Sequence, residues 1–182
     1  MPFSVEKTPI DGLIIIEPKK FYDSRGFFEE TYKKSDFTAL GINDSFSQDN
    51  HSCSVKGVVR GIHFQRAPFA QGKLVRVLKG KVWDVAVDLR KNSSTFGNWF
   101  AIELSEENSK MFYIPAGFGH GFAALEDDTH LFYKCTNEYN ASCDGGIKWN
   151  DPDIAIDWKL NGITPIISDK DDKLPVLKEV LL

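Results

Sequence analysis

The run KLVRVLKGKVWDVAVDL, residues 73–89, decides the fold. Two valine-rich segments, 73–79 and 81–89, meet at Gly80, the pattern of a β-hairpin. Side chains alternate faces along a strand, so Lys73 shares a face with Val75 and Val77 while Arg76 looks the other way. The two valines suit a buried face, which places Lys73 inside. A buried lysine is rare without a partner or a task. The plainer reading is that Lys73 caps the mouth of its strand.

Outward from this hairpin, short β-branched and aromatic runs recur between Gly and Pro residues. They predict strands at 12–17, 26–32, 46–52, 99–104, 111–114, 121–125 and 130–136. Residues 35–40 read as a short helix with Ser35 as its N-cap and Gly41 as its stop. Aromatic residues make up 13% of the chain, including 14 Phe and 4 Trp, and aromatics favour pleated, half-buried surfaces. Many short strands with frequent turn signals predict an all-β fold, a sandwich or closed antiparallel barrel. The C-terminal third, with Pro152, Pro165 and Pro175, reads as loops and one short helix over the barrel. Its last run, LPVLKEVLL, is apolar enough to pack within the chain or across a dimer.

A length of 182 residues fits one domain, 1–182, able to bury roughly 70% of its unfolded surface without disulfides or structural metal. The net charge of -4 offers no field for nucleic acid or an anionic membrane. Any anion site must therefore be a local cluster of Arg and Lys. The three cysteines, Cys53, Cys135 and Cys143, are odd in number and form no CxxC, so neither a disulfide framework nor a zinc finger is expected. The start of the chain lacks a signal-peptide pattern and the apolar run 13–16 is too short to span a bilayer. A cytoplasmic protein is expected.

Chemistry can come from few side chains. Of the four histidines, His63 lies in VVRGIHFQ, three residues after Arg60. A histidine in a strand is more often structural, but Arg60 and Lys73 lie close in sequence. In a regular strand Arg60 and His63 would face opposite ways, and a bulge at Gly61 would re-aim one of them. Tyr133, in HLFYKCT, faces away from His130, Phe132 and Lys134. Residues 115–122, PAGFGHGF, carry the PxGxxH pattern of the second cupin motif. The first cupin motif is reduced to a lone His63 with Gln65 two residues later, which leaves His63 and His120 short of a three-ligand metal set. The pattern is that of a cupin-type barrel without a metal site.

The segments DSRGFFEETY, FSQDNHS, VVRGIHFQ, AQGKLVRVLKGKVWDVAVDLRKNSSTFG, IPAGFGHGF, YKCTNEY and WNDPDIAIDW together resemble the dTDP-4-dehydrorhamnose 3,5-epimerase family over nearly the whole chain. The resemblance implies a homodimeric cupin-type antiparallel barrel (a jelly roll with short peripheral helices) that acts on a dTDP-linked 4-keto-6-deoxyhexose without metal or organic cofactor. It implies His63 as general base, Tyr133 as acid, Lys73 beside the C4 oxygen of the sugar, and Asp171, in ISDKDD, as the carboxylate partnering the base. Asp169 and Asp172 compete with Asp171 for that register. Substrate contacts are implied for Arg25, Glu30, Gln48, Asn50, Arg60, His120 and Lys170. Asp144, in SCDGG, stands where relatives often carry Glu.

These residue types suit one chemistry. A proton next to a ketone leaves only if the enolate is stabilised. A base must take the proton, a cation must meet the charge growing on the C4 oxygen, and an acid must return a proton from the opposite face. Imidazole titrates near working pH, an ammonium group serves as the electrophile, and a phenol stays protonated until needed. Arg25, Arg60 and Lys170 could gather positive charge for a diphosphate. No redox step is involved, in keeping with the lack of a GxGxxG loop.

Overall fold

The computed structural model describes residues 2–182, and its strands fall into three antiparallel sheets. The chain begins with β1 (Phe3–Lys7), β2 (Ile14–Pro18), β3 (Lys20–Asp23), β4 (Gly26–Glu29) and, after helix α1 (Lys34–Ala39), β5 (Gln48–Ser54). Then follow β6 (Val59–Gln65), β7 (Lys73–Lys79), β8 (Lys81–Asp88), β9 (Trp99–Ser105), β10 (Met111–Ile114), β11 (Phe118–Ala124), β12 (Thr129–Cys135) and β13 (Asp144–Gly146). A one-turn helix, α2 (Asp169–Asp172), and a 3₁₀ turn at Leu177–Glu179 close the chain.

The order β1-β2-β10-β7-β12-β5 makes one sheet and β13-β6-β11-β8-β9 the second. The two strands expected around Gly80 form, but not as a paired hairpin: β7 enters the first sheet and β8 the second, so the turn at Gly80 carries the chain from one sheet to the other. Gly80 sits at their junction with φ +75°, and a Cβ there would lie 2.5 Å from Thr129 Oγ1, so only glycine fits. The two sheets face each other as a cupin-type barrel. Val75, Val77, Val82, Ala86, Leu104, Phe112, Phe122 and Leu131 fill the space between them.

Each sheet also buries part of its outer face. Leu74, Met111, Ile16 and Tyr113 of the first sheet meet Phe37 of α1. Val59, Ile62, Val85 and Val87 of the second are covered by Ile154, Trp158, Ile167 and the terminal Leu177, Val180 and Leu182. The run LPVLKEVLL therefore packs within its own chain. Among the described residues, no helix is long and apolar enough to cross a membrane.

Several local expectations need correction. Helix α1 begins at Lys34, with Lys33 in the cap position and no side-chain cap, so Ser35 lies in the first turn instead of capping it. Gly41 does end the helix, with φ +89° and its N–H bonded to the Thr38 carbonyl. Strand β11 starts at Phe118, three residues before the expected Gly121. Gly119 lies outside the expected strand and Gly121 at its start, yet both sit within β11 and permit close approach to β6. A Cβ at Gly119 would lie 2.3 Å from Ile62 Cγ2, and one at Gly121 would lie 2.7 Å from the Arg60 carbonyl oxygen. The expected strand at 26–32 stops at Glu29, and β3, which was not expected, pairs among the described residues with β4 alone.

Candidate active site

The barrel interior collects its polar side chains where β6, β7, β11 and β12 open toward one end. On β6, His63 lies opposite His120 of β11, while Arg60 lies opposite Phe122. Three residues of β6 thus span two of β11, which is a bulge at Gly61 and Ile62. The extra residue turns Arg60 and His63 to the same face, which a regular strand would not do.

His63 Nε2 lies 2.7 Å from Asp171 Oδ1, and Asp171 Oδ2 accepts a hydrogen bond from the Gly61 N–H at 3.2 Å. The register among the crowded aspartates comes from α2. Ser168 caps this turn by accepting from the Asp171 N–H, which aims Asp171 inward and leaves Asp169 and Asp172 exposed. Burial by itself would raise the Asp171 carboxyl. The His63 hydrogen bond, the imidazolium charge, the Gly61 amide and Lys170 outweigh it and hold the group below the usual aspartate range. His63 is one-third exposed, whereas Asp171 is buried. A cleft of about 390 Å³ opens over this pair and is lined by Arg60, His63, Lys170 and Asp171. A larger groove of about 490 Å³ around Trp83, Lys56 and Lys159 holds no comparable pairing of titratable groups.

Lys73 is buried at the start of β7, on the same face as Val75 and Val77. Its ammonium sits 5.6 Å from the centre of the Tyr133 ring. Among the described residues no carboxylate lies within ion-pair distance of it. Desolvation pulls its pKa down, opposed by the thiol of Cys135 and by Asp84 and Asp144. Tyr133 lies opposite Val75 on one side and Asn50 on the other. Burial raises its pKa, which keeps it protonated, while a hydrogen bond with Asn50 and the charge of Arg60 pull the other way. The His120 ring lies 6.1 Å from the Tyr133 ring, so His120 stands between the His63 pair and the Lys73–Tyr133 pair.

Gln48 and Asn50 line the β5 side of the same interior. Gln48 donates to Asn50 Oδ1, and Asn50 donates to the Cys135 sulfur. Arg60 donates to the Cys53 carbonyl and to Ser54 Oγ. Lys170 and Asp144 form an ion pair of 2.7 Å at the rim. Arg25 and Glu30 are not brought to this cleft by their own chain. Arg25 is in the β3–β4 turn, its side chain 88% exposed and paired with Asp23. Among the described residues Glu30 has no ion pair with a cleft residue.

One residue escaped the sequence reading. Asp84, fully buried on β8, holds His120 Nε2 at 3.0 and 3.1 Å. The signal was present, because Asp84 falls on the interior parity of β8 with Val82 and Ala86. Burial lowers the His120 pKa and Asp84 pulls it back up. The arrangement pairs two histidines across β6 and β11, each braced by its own aspartate, with a lysine and a phenol beside them. Such a set can take a proton, return one, and neutralise an oxyanion.

Residues 7–179 match the model of the dTDP-4-dehydrorhamnose 3,5-epimerase family. A dTDP-4-dehydrorhamnose 3,5-epimerase of Methanothermobacter thermautotrophicus is 52% identical, the match covering 97% of this chain and 96% of the relative. The crystal structure of the enzyme of that name from Elizabethkingia anophelis superposes with a TM-score of 0.94 at 48% identity, over 98% of both chains. A Legionella pneumophila dTDP-6-deoxy-D-glucose-3,5-epimerase, solved in complex with dTDP-4-keto-L-rhamnose, gives a TM-score of 0.94 at 46% identity, over 98% of this chain and 94% of the other. With the fold, the braced histidines and these likenesses in agreement, the chain belongs to the dTDP-4-dehydrorhamnose 3,5-epimerase family.

Proposed function

We propose that this protein converts dTDP-4-dehydro-6-deoxy-D-glucose to dTDP-4-dehydro-L-rhamnose by inverting C3 and C5. The observation that carries the reading is the His63–Asp171 pair at 2.7 Å, set into the same barrel interior as Lys73 and Tyr133. His63 takes the proton from the carbon beside the ketone. The electrons of the broken C–H bond move into the C–C bond, and the C4 oxygen takes the negative charge beside the Lys73 ammonium. Asp171 fixes the imidazole and stabilises its protonated form, as a triad aspartate does. Tyr133 gives its proton to the carbon from the opposite face and regains one from solvent. Each inversion moves protons only, so the chemistry calls for no redox cofactor. Arg60 and Lys170 meet the diphosphate at the rim, and Gln48, Asn50, His120 and Asp144 contact the substrate.

Incubation of the protein with this substrate in heavy water should place one deuteron at C3 and one at C5, read by NMR. In Tyr133→Phe, carbon–hydrogen exchange should persist while inversion falls sharply, because abstraction survives and delivery from the far face does not. Exchange at one carbon only would reduce the activity to a single epimerisation. A folded protein that exchanges neither carbon rules out the assignment.

We also infer that the protein works as a homodimer. Among the described residues the β3–β4 hairpin pairs with no other strand, and it exposes Phe21, Tyr22, Phe27 and Phe28 within eight residues. Such a patch marks a contact surface. Arg25 and Glu30, which the family resemblance assigns to the substrate, sit on or beside this hairpin and away from their own cleft. A second copy that received the hairpin would bring them to its site. Sedimentation equilibrium should give twice the 20.5 kDa chain mass. Phe27→Asp with Phe28→Asp should shift it toward the monomer, and a wild-type protein that sediments as a monomer refutes the reading. The three cysteines are all free thiols, which fits a reducing, cytoplasmic setting.

A further inference from the structure

A second cluster of ligand-type side chains lies on the opposite face of β12 from Tyr133. There β5 and β12 place Cys53 directly opposite His130, and His51 opposite Phe132. Asp128, in the turn that leads into β12, has φ +52°, a left-handed conformation that Asp tolerates better than most residues. The turn brings its carboxylate back over the strand pair. Asp128 Oδ1 lies 3.1 Å from His130 Nε2 and 3.5 Å from Cys53 Sγ. All three donor atoms lie within 4.8 Å of one another.

These separations can be compared with the edges of a zinc tetrahedron. The usual Zn–S, Zn–N and Zn–O lengths make the N···O edge about 3.4 Å and the S···O edge about 3.6 Å. The observed 3.1 and 3.5 Å lie within a few tenths of an ångström of these two edges, and the S···N edge, held below 4.8 Å, is set to its tetrahedral length by the ion. The support around the donors also fits. His51 Nε2 lies 2.9 Å from His130 Nδ1, so the ring nitrogen turned away from the cluster is held by a partner, as metal-bound histidines require. Lys79 engages Asp128 through Oδ2, which leaves Oδ1 free to face the thiol and the imidazole. One sulfur, one imidazole nitrogen and one carboxylate oxygen favour zinc over magnesium or calcium.

We propose that Cys53, Asp128 and His130 form a zinc site on the outer face of the barrel, with His51 supporting His130 and water completing the tetrahedron. On binding, the Cys53 thiol loses its proton to solvent and the sulfur takes up the ion. His130 binds through Nε2 and keeps its ring proton on Nδ1, where His51 accepts it. The ion ties the Asp128 turn to β5, one of the two edge strands of the six-stranded sheet.

The test is calorimetric titration of the chelator-treated full-length protein with zinc chloride, and a parallel titration with cobalt(II) followed by absorption. One ion per chain should bind, and cobalt should develop a thiolate charge-transfer band. Cys53→Ser should remove that band and weaken zinc at least tenfold. His51→Ala should keep the band and weaken zinc by about tenfold, the usual cost of losing such a support. Carbon–hydrogen exchange on the sugar should be unchanged in Cys53→Ser, which separates this site from the epimerase assignment. Absence of saturable binding at one ion per chain overturns the proposal, as does a cobalt spectrum that Cys53→Ser leaves intact.

Discussion

His63→Ala should lower the rate of deuterium incorporation at both carbons by about 10⁴, the upper end of what a positioned acid or base supplies. That factor corresponds to about 5.5 kcal/mol of barrier. The substrate Kd should change by only a few fold, since the diphosphate and nucleotide are held by other groups. The large kinetic effect follows from the geometry. Within the cleft, His63 is the imidazole that is partly exposed, and Asp171 lies behind it. His120 is buried against Asp84 and cannot take over the role. Asp171→Asn gives an intermediate case. The amide can keep a hydrogen bond to the ring but cannot stabilise imidazolium, so turnover should fall while the histidine stays in place. Isotope exchange measured by NMR on folded variants checks both. Wild-type exchange in His63→Ala would remove the base from the mechanism.

The barrel was legible because its evidence is local. The valine alternation around Gly80 specifies two strands and the side on which each residue falls, and the observed placement of Lys73 follows from that parity alone. The bulge at Gly61 was readable as a need, since Arg60 and His63 could not otherwise share a face. Other features depend on contacts distant in sequence. Nothing near Gly119 and Gly121 announces that Ile62 and Arg60 will press against them, so the expected strand began only at Gly121 instead of Phe118. The Ser35 cap failed because the chain enters α1 through an extended Lys33, and the helix is held by Phe37 packing on the sheet instead of by a cap. The aspartate register rested on whether Ser168 would begin a turn, a choice that α2 settles by packing beside β6. Asp84 was readable, because a charged residue on an interior parity is a stronger signal than an isolated histidine.

Lys73→Met should separate function from stability in the direction that a purely structural lysine would not. The ammonium is buried with no carboxylate partner in ion-pair reach among the described residues, and burial opposes its charge. Replacing it with an unbranched apolar side chain of similar length removes a desolvation cost, so resistance to urea should hold or rise. Turnover should fall by about 10²–10³, which is about 3–4 kcal/mol, the usual loss of one preorganised donor to an oxyanion. Alkaline pH should act in the same two directions on the wild type. Because the folded-state pKa lies below that of the unfolded chain, the unfolded state binds more protons between the two values, and folding grows more stable as pH rises through that window. Turnover should fall over the same range as the ammonium loses its proton. Lys73→Met lacks the group, so its stability should show no such gain. A Lys73→Met protein that is several kcal/mol less stable and still turns over at the wild-type rate would make Lys73 a structural residue and leave the C4 oxygen without its cation.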